Sequence, residues 1–385
     1  MRRYRCATPS AVRYLAVFTA FVTVSAFSMQ AQAPSAAPVG SARPDLITVD
    51  VYVADSLGHP VHGLEQNNFT LLDNGRPVQP VNFRAVDPVT DPNAIHILLV
   101  VDMLNNTATS VARQREQIGE YLNQDGGKLA HPTSLAILTE TGVSMMNGSS
   151  LDGHALLDAF EKVDSQLRGV GRSAGFYGAA EHLQESLNGL GQITQYEAQQ
   201  PGRKLVFLIG PGWPMLVNAG VQESDKQRAW VFNTLVQLSS SMREAHVVLY
   251  SLDPFGLGSN GGNVDPFVYQ GYRKPVTKVD QAEYPYLAEQ VLAEHSGGRV
   301  LISSNDTLGD INSALRDAGA YYEISFAPPA PDRRNEYHKL EVRVDKPNTQ
   351  VRTSAGYYAQ PAPIGKTSPP SRATEPDNGL PNPRP

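Results

Sequence analysis

Four short apolar runs limit the folds open to this chain more than any other feature. Ile95 to Val101 is an apolar run ending at Asp102, and similar runs recur at Leu135 to Leu138, Leu205 to Ile209 and Val247 to Leu252. A strand that is apolar on both faces belongs inside a parallel sheet covered by helices on each side, because water would otherwise meet half its side chains. Stretches long enough for helices lie between and beyond the runs, at Val111 to Asn123, Leu151 to Val163, Phe176 to Leu187, Ser224 to Arg243 and Tyr286 to His295. Strands alternating with helices predict right-handed crossovers and a doubly wound, mostly parallel α/β sheet over residues 94–320. In such sheets function gathers at the carboxyl ends of the strands. Asp253 to Asp280, rich in Gly, Asn and Pro, reads as a long surface loop; Arg299 to Ile302 reads as an edge strand and Thr307 to Ala318 as the last helix.

On either side the period changes to two. Ile47, Val49, Val51 and Val53 alternate with Thr48, Asp50 and Tyr52, as in a half-buried strand. Phe69 to Leu72 and Val78 to Phe83 flank Asp73-Asn74-Gly75, and Asn-Gly between apolar segments is a strong hairpin signal. Residues 46–86 therefore form a small β unit. The same period returns in 321–358, at Tyr322, Ile324 and Phe326, at Leu340, Val342 and Val344, and in Val351 to Tyr358. Neither unit alone has enough strands to cover a core, so the two are expected to pair into one β-sandwich.

The ends of the chain have other compositions. Arg2, Arg3, Arg5 and Arg13 precede the uncharged apolar run Tyr14 to Phe27, and small residues follow at Ala31 and Ala33. Residues 1–33 thus have the pattern of a secretory signal peptide, and the run is shorter than the roughly 18 to 20 residues that a spanning helix needs. Export to the periplasm, cell surface or medium is expected, with no integral membrane segment after cleavage. Residues 34–45 read as a flexible linker, and 359–385, with eight prolines in 27 residues, as a disordered tail. Removing the first 33 residues takes Lys+Arg from 32 to 28 against 38 Asp+Glu, so the formal charge moves from −6 to −10. An acidic surface repels phosphate, which excludes nonspecific nucleic-acid binding. Cys6, the single cysteine, excludes a disulfide scaffold and a zinc finger.

The strand ending Leu98-Leu99-Val100-Val101-Asp102, followed by Asn105, Asn106 and Thr107, resembles the start of a von Willebrand factor type A domain. More closely, the chain resembles the exported type-A-related family described from acidobacteria. That resemblance rests on Val61 to Leu64, on Asn68 to Gly75, on Ala288 to Arg299 with Gly297-Gly298, on Tyr321-Tyr322, and on Tyr337 to Leu340 leading to Gly356-Tyr357-Tyr358. It implies a noncatalytic module that binds a protein, peptide or glycan through loops above the sheet, with a cell-envelope or cell-surface protein as partner.

Type A domains commonly hold Mg²⁺ through Asp-x-Ser-x-Ser, a Thr and a second Asp, all hard oxygen donors. Asp102 matches the first position, but Leu104 and Asn106 stand for the two serines, Ser173 for the threonine, and Gly210-Pro211 for the last Ser and Asp. The resemblance therefore implies a degenerate site at Asp102, Asn106 and Ser173, with no cofactor required and Mg²⁺ only weakly held. Asp102, Asn105, Asn106, Ser173, Pro211 and Trp213 are the expected partner-binding residues, Trp213 either anchoring a partner or packing on the sheet rim.

A competing motif is Gly171-Arg172-Ser173-Ala174-Gly175, the Gly-x-Ser-x-Gly of a secreted serine hydrolase with Ser173 as nucleophile. It requires a buried strand immediately before it, whereas Phe160 to Arg168 is charged and helical in pattern, so no enzyme is expected. The acid and base of a triad would come from Asp253 and from His295 or His338. Gly169 to Ala174 also fits a loose dinucleotide fingerprint, but no βαβ unit begins there. The remaining histidines read as surface or packing residues, and the paired tyrosines 321-322 and 357-358 as core or recognition surface.

Overall fold

The computed structural model describes residues 46–106, 108–146, 148–164, 176–217, 223–253, 268–301 and 306–360. The signal-like segment, the linker and all of the tail beyond Gln360 lie outside them. In chain order come β1 (Ile47–Ala54), β2 (Phe69–Asp73), β3 (Arg76–Val78) and β4 (Pro80–Val86), then β5 (Ile95–Asp102) and α1 (Ala108–Leu122). β6 (Lys128–Thr139), β7 (Gly142–Met145), β8 (Ser150–Asp152), α2 (Gly153–Asp164), α3 (Phe176–Glu197), β9 (Arg203–Ile209), α4 (Asp225–Glu244) and β10 (Val247–Leu252) follow. The chain continues through α5 (Glu289–His295), β11 (Val300–Leu301), α6 (Thr307–Leu315), β12 (Tyr321–Phe326), β13 (Glu336–Val344), β14 (Gln350–Arg352) and β15 (Gly356–Ala359).

The apolar runs form the middle of a seven-stranded sheet ordered β11-β10-β9-β5-β6-β7, with β8 also beside β6. β11, β10, β9, β5 and β6 are parallel; β7 and β8 run antiparallel to β6. Alternation along the strands splits the core in two. Leu98, Val100, Val206, Leu208 and Leu249 meet α3, α4 and α5 on one face. Ile97, Leu99, Leu205, Phe207 and Tyr250 meet α1, α2 and α6 on the other. This is why the runs had to be apolar throughout. α4 begins where Ser224 Oγ accepts the Gln227 N–H at 3.3 Å, with the Gln227 side chain returning to the Ser224 N–H, a capping box that satisfies two free donors.

The flanking β segments build two four-stranded antiparallel sheets, β14-β1-β12-β4 and β15-β13-β2-β3. Asn74 and Gly75, with φ of 48° and 79°, close the β2–β3 hairpin in the left-handed conformation that Asn-Gly favours. Val49, Val51 and Val53 of β1 and Tyr322, Ile324 and Phe326 of β12 point toward Phe69, Leu71, Leu340, Val342 and Tyr357 of the facing sheet. The alternate residues of the same two strands, Asp50, Tyr52 and Tyr321, contact the α/β layer instead: Tyr52 Oη donates to the Arg316 carbonyl at 2.7 Å and Asp50 meets His246. One sheet therefore serves two interfaces, and all four paired tyrosines are buried.

The surface-loop reading of Asp253 to Asp280 needs correction where the segment is described. Tyr269 and Val276 are buried, and the Val276 carbonyl accepts from Tyr358 Oη at 3.0 Å, so apolar anchors pull the second half of the segment onto the core. β7 and β8 carried no clear signal, being short strands at the sheet margin.

Candidate functional site

Strand order reverses between β5 and β9, where successive connections leave in opposite directions, the place where doubly wound sheets usually bind their ligands. Asp102, the last residue of β5, stands there and is wholly buried. Its Oδ1 accepts the Asn105 backbone N–H at 2.9 Å and its Oδ2 accepts Asn105 Nδ2 at 2.8 Å, while the same Nδ2 donates to Ser186 Oγ of α3 at 3.0 Å. Asn106 Nδ2 donates to the Asp102 carbonyl at 2.6 Å. Burial pushes the Asp102 carboxyl up to about 6, against the lowering effect of the Asn105 and Leu104 hydrogen bonds. From the β9 side Gly210 closes on it so tightly that a Cβ there would sit 2.8 Å from Asp102 Cβ.

The loop after β9 continues the closure. Gly212 takes φ 81° against Gln290, and a Cβ there would collide with the Gln290 amide. Trp213 is 3% exposed and packs in the core with α4, so it does not present its ring to a partner. The partner-anchor reading of Trp213 is corrected accordingly: the indole caps the hydrophobic layer between sheet and helices. The same loop then turns outward, Leu216 adopting φ 48°, costly for a branched side chain, and Val217 standing 48% exposed.

Two further acids lie at this edge. Asp253 follows β10 and is nearly buried, and Glu289, the first residue of α5, is fully buried. Burial holds the Glu289 carboxyl well above the ordinary range; Ser251 at the end of β10 gives partial relief, and the charges of Asp102 and Asp253 raise it further. Among the described residues neither Glu289 oxygen has a partner of hydrogen-bonding geometry, and the same holds for Asn105 Oδ1, Trp213 Nε1 and Gln290 Oε1 nearby. Nothing in the sequence marked Glu289, since an acid in the first turn of a helix is ordinary dipole chemistry.

Of the expected site residues, the structure brings Asp102, Asn105 and Asn106 into one hydrogen-bonded turn and places Pro211 next to Gly210 at its rim. Ser173 and Thr107 lie outside the described residues. The described residues do not fit an octahedral Mg²⁺. Both Asp102 oxygens are occupied by Asn105, the Asn106 amide nitrogen faces the strand, and the Gly210 backbone fills the space beside the carboxylate. Among the described residues the one set of three His, Cys, Asp or Glu ligand atoms mutually within 4.8 Å is Asp50, His246 and Glu323, at the opposite end of the sheet.

The histidines considered for a hydrolytic triad are held elsewhere, His295 Nε2 against the Arg273 carbonyl at 3.1 Å and His338 Nδ1 against Asp73 Oδ1 at 2.7 Å inside the sandwich. Ser134, His96 and Glu197 do form a Ser-His-Glu chain, with Oγ to Nε2 at 3.0 Å and Nδ1 to Oε2 at 2.8 Å. Ser134 is 1% exposed within the sheet, so this chain ties α3 to β5 and β6.

No protein-family model matches the chain, and no curated protein sequence matches it. Among solved structures it is similar to the human COPII-coat protein Sec24c, at 8% identity and a TM-score of 0.34, over 70% of this chain and 44% of that one. It is also similar to the TFIIH p34 N-terminal domain, at 7% identity and a TM-score of 0.26, over 43% of this chain and 82% of that one. The chain thus spans less than half of the Sec24c chain, and likeness at this level says nothing of what it binds.

Proposed function

We propose that this chain is an exported, noncatalytic binding module of the von Willebrand factor type A kind. It engages a protein of the cell envelope through the loops at the carboxyl edge of its parallel sheet. The observation that carries the reading is the closed edge. Asp102 is sealed by Asn105, Asn106 and Gly210, so the described residues leave no open cleft at that carboxylate, while the next loop exposes Val217 behind a strained Leu216. Strain and unpartnered polar atoms reduce stability, and they persist where a surface is shaped for recognition. With the last acid of the metal motif replaced by Gly210-Pro211, recognition proceeds by shape, apolar contact and hydrogen bonds, and a metal is not required.

The doubly wound order and an aspartate ending the central strand support the type A reading, and the basic, apolar, small-residue order of residues 1–33 supports export. A photo-crosslinking residue at position 217, introduced in the cells that make the protein, tests it. One reproducible envelope partner is expected, lost in Val217→Asp while the melting temperature stays put. Labelling of Ser173 by a fluorophosphonate probe, with hydrolysis abolished in Ser173→Ala, would replace this reading with that of a secreted hydrolase.

A further inference from the structure

At the opposite end of the sheet, where α6 and β11 meet the β1 turn and β14, a polar cavity of about 210 Å³ is lined by Arg299, Arg316 and Arg352 with Asp317 as its one acid. Three guanidiniums against one carboxylate leave a surplus of positive charge in a recess shared by the α/β layer and the sandwich. That carboxylate is already committed. Asp317 Oδ1 accepts from Arg352, Oδ2 accepts from Tyr250 Oη at 3.0 Å and pairs by charge with the Arg299 guanidinium, whose Nε lies 3.2 Å away, and the buried Arg203 donates to the Asp317 carbonyl at 2.8 Å. Asp317 therefore orients the arginines without having capacity left to neutralise the third.

The donors are held in place from behind. Arg352 stacks over the Tyr52 ring at 5.0 Å, and Arg299 is fixed by the Ser313 carbonyl at 2.6 Å. Ser313 Oγ receives Arg316 Nη2 at 2.9 Å and Arg299 Nη1 at 3.4 Å, and a hydroxyl that accepts twice keeps its own proton to donate. Ser56 to Gly58 and Gln350 complete the wall and bring no opposing charge. Forked guanidiniums beside a donating hydroxyl are the groups that recognise a tetrahedral oxyanion, because each fork matches two of its oxygens. The volume is below the roughly 300 Å³ at which pockets for drug-sized ligands begin, so the ligand is small.

We propose that this cavity is a binding site for a phosphate or sulfate group, and that the bound dianion braces the sandwich against the α/β layer. Both components contribute to it, Arg352 and the Ser56–Gly58 turn from one and Arg299, Ser313 and Arg316 from the other, so occupancy resists their separation.

Calorimetric titration of inorganic phosphate, and separately of sulfate, into the full chain at fixed ionic strength tests the site, with chloride as the matched control. Saturable binding and a rise in melting temperature are expected, and Arg316→Ala should weaken binding by at least about tenfold. Arg316 is exposed at the rim and, among the described residues, its guanidinium forms no ion pair with the Asp317 carboxylate, so its loss is expected to leave the fold intact. Absence of saturable binding, or binding unchanged in Arg316→Ala, overturns the proposal. Glycerol 3-phosphate separates the sources: if it binds with phosphate, the site takes a phosphoryl group carried on a small molecule, and if it is refused, the site takes the free anion. Either result supports the oxyanion chemistry.

Discussion

The two ends of the parallel sheet handle buried charge in opposite ways. At the amino end, where the sheet rests on the sandwich, carboxylates have cationic or imidazole partners: Asp317 has Arg299 and Arg352, Asp50 has His246, and Glu197 has His96. At the carboxyl end Asp102 and Glu289 are buried with no cation beside them among the described residues, and both are pushed toward the neutral form. A partner offsets the desolvation of a buried charge; leaving the charge unpaired costs stability and is retained where something else is gained. The contrast is what the proposed division of labour predicts, with the amino end holding the two layers together and the carboxyl end left for recognition.

Removing the pairing should have the largest effect. Asp317→Ala strands two guanidiniums and the Tyr250 hydroxyl, and breaking such a cluster from one side costs about 3 to 5 kcal/mol. Urea unfolding reads it, and a loss below about 1 kcal/mol would erase the contrast. Asp102→Asn should do the reverse. An Asp carboxyl ordinarily ionises near 3.8, and in the fold Asp102 does so at about 6. Between those values the folded chain keeps a proton that the unfolded chain has released, so stability falls as pH rises through the window. The substitution should therefore stabilise by up to about 3 kcal/mol above pH 6, offset in part by poorer bonds to Asn105, and by nothing near pH 4. Equal effects at pH 4 and pH 8 would sink this. Glu289→Gln should have the same sign, its gain opening as pH rises above the ordinary 4.5.

Much of this asymmetry could not be read in advance, for a physical reason. The runs ending at Asp102, Ile209 and Leu252 announce buried parallel strands because water exclusion acts on composition, and composition is local. The Asn74-Gly75 hairpin and the Ser224 cap are equally local. Pairing is not. That Asp50 meets His246, 196 residues away, and that Arg352 meets Asp317 depend on which sheet face docks where. A period of two identifies Asp50 as the outward side of β1 but not what waits there. Glu289 illustrates the limit at the other end, since its burial follows from how α5 packs against β10. Trp213, read from its place after the degenerate motif, turned inward because the Gly210–Gly212 turn directs it under α4.

Gly210→Ala probes the seal itself. Its new Cβ would press on Asp102 Cβ at 2.8 Å, an atom next to the backbone that cannot swing aside, and overpacking of this kind costs about 1 to 3 kcal/mol. The cost should shrink when Asp102 is also replaced by Gly, because the clashing atom is then gone. A double-mutant cycle in urea with no coupling would show that the two strand ends do not touch.

The smallest effect belongs to the paired end. Burial lowers the tendency of His246 to hold a proton, but the charge and hydrogen bonds of Asp50 outweigh it, and the net shift is upward. Stability from this pair is therefore full below the ordinary imidazole value of 6.5 and is lost as pH rises through the folded value. The ring is 28% exposed, so solvent screening limits the contribution to about 0.5 to 1 kcal/mol. His246→Ala should flatten that part of the stability profile, whereas Asp102→Asn flattens the more acidic part between about 4 and 6. Two slopes removed separately, one by a substitution at each end of the sheet, would establish that the ends are electrostatically independent. A single substitution that removed both would show that the sheet transmits charge between them, and the division of labour proposed for its two ends would have to be abandoned.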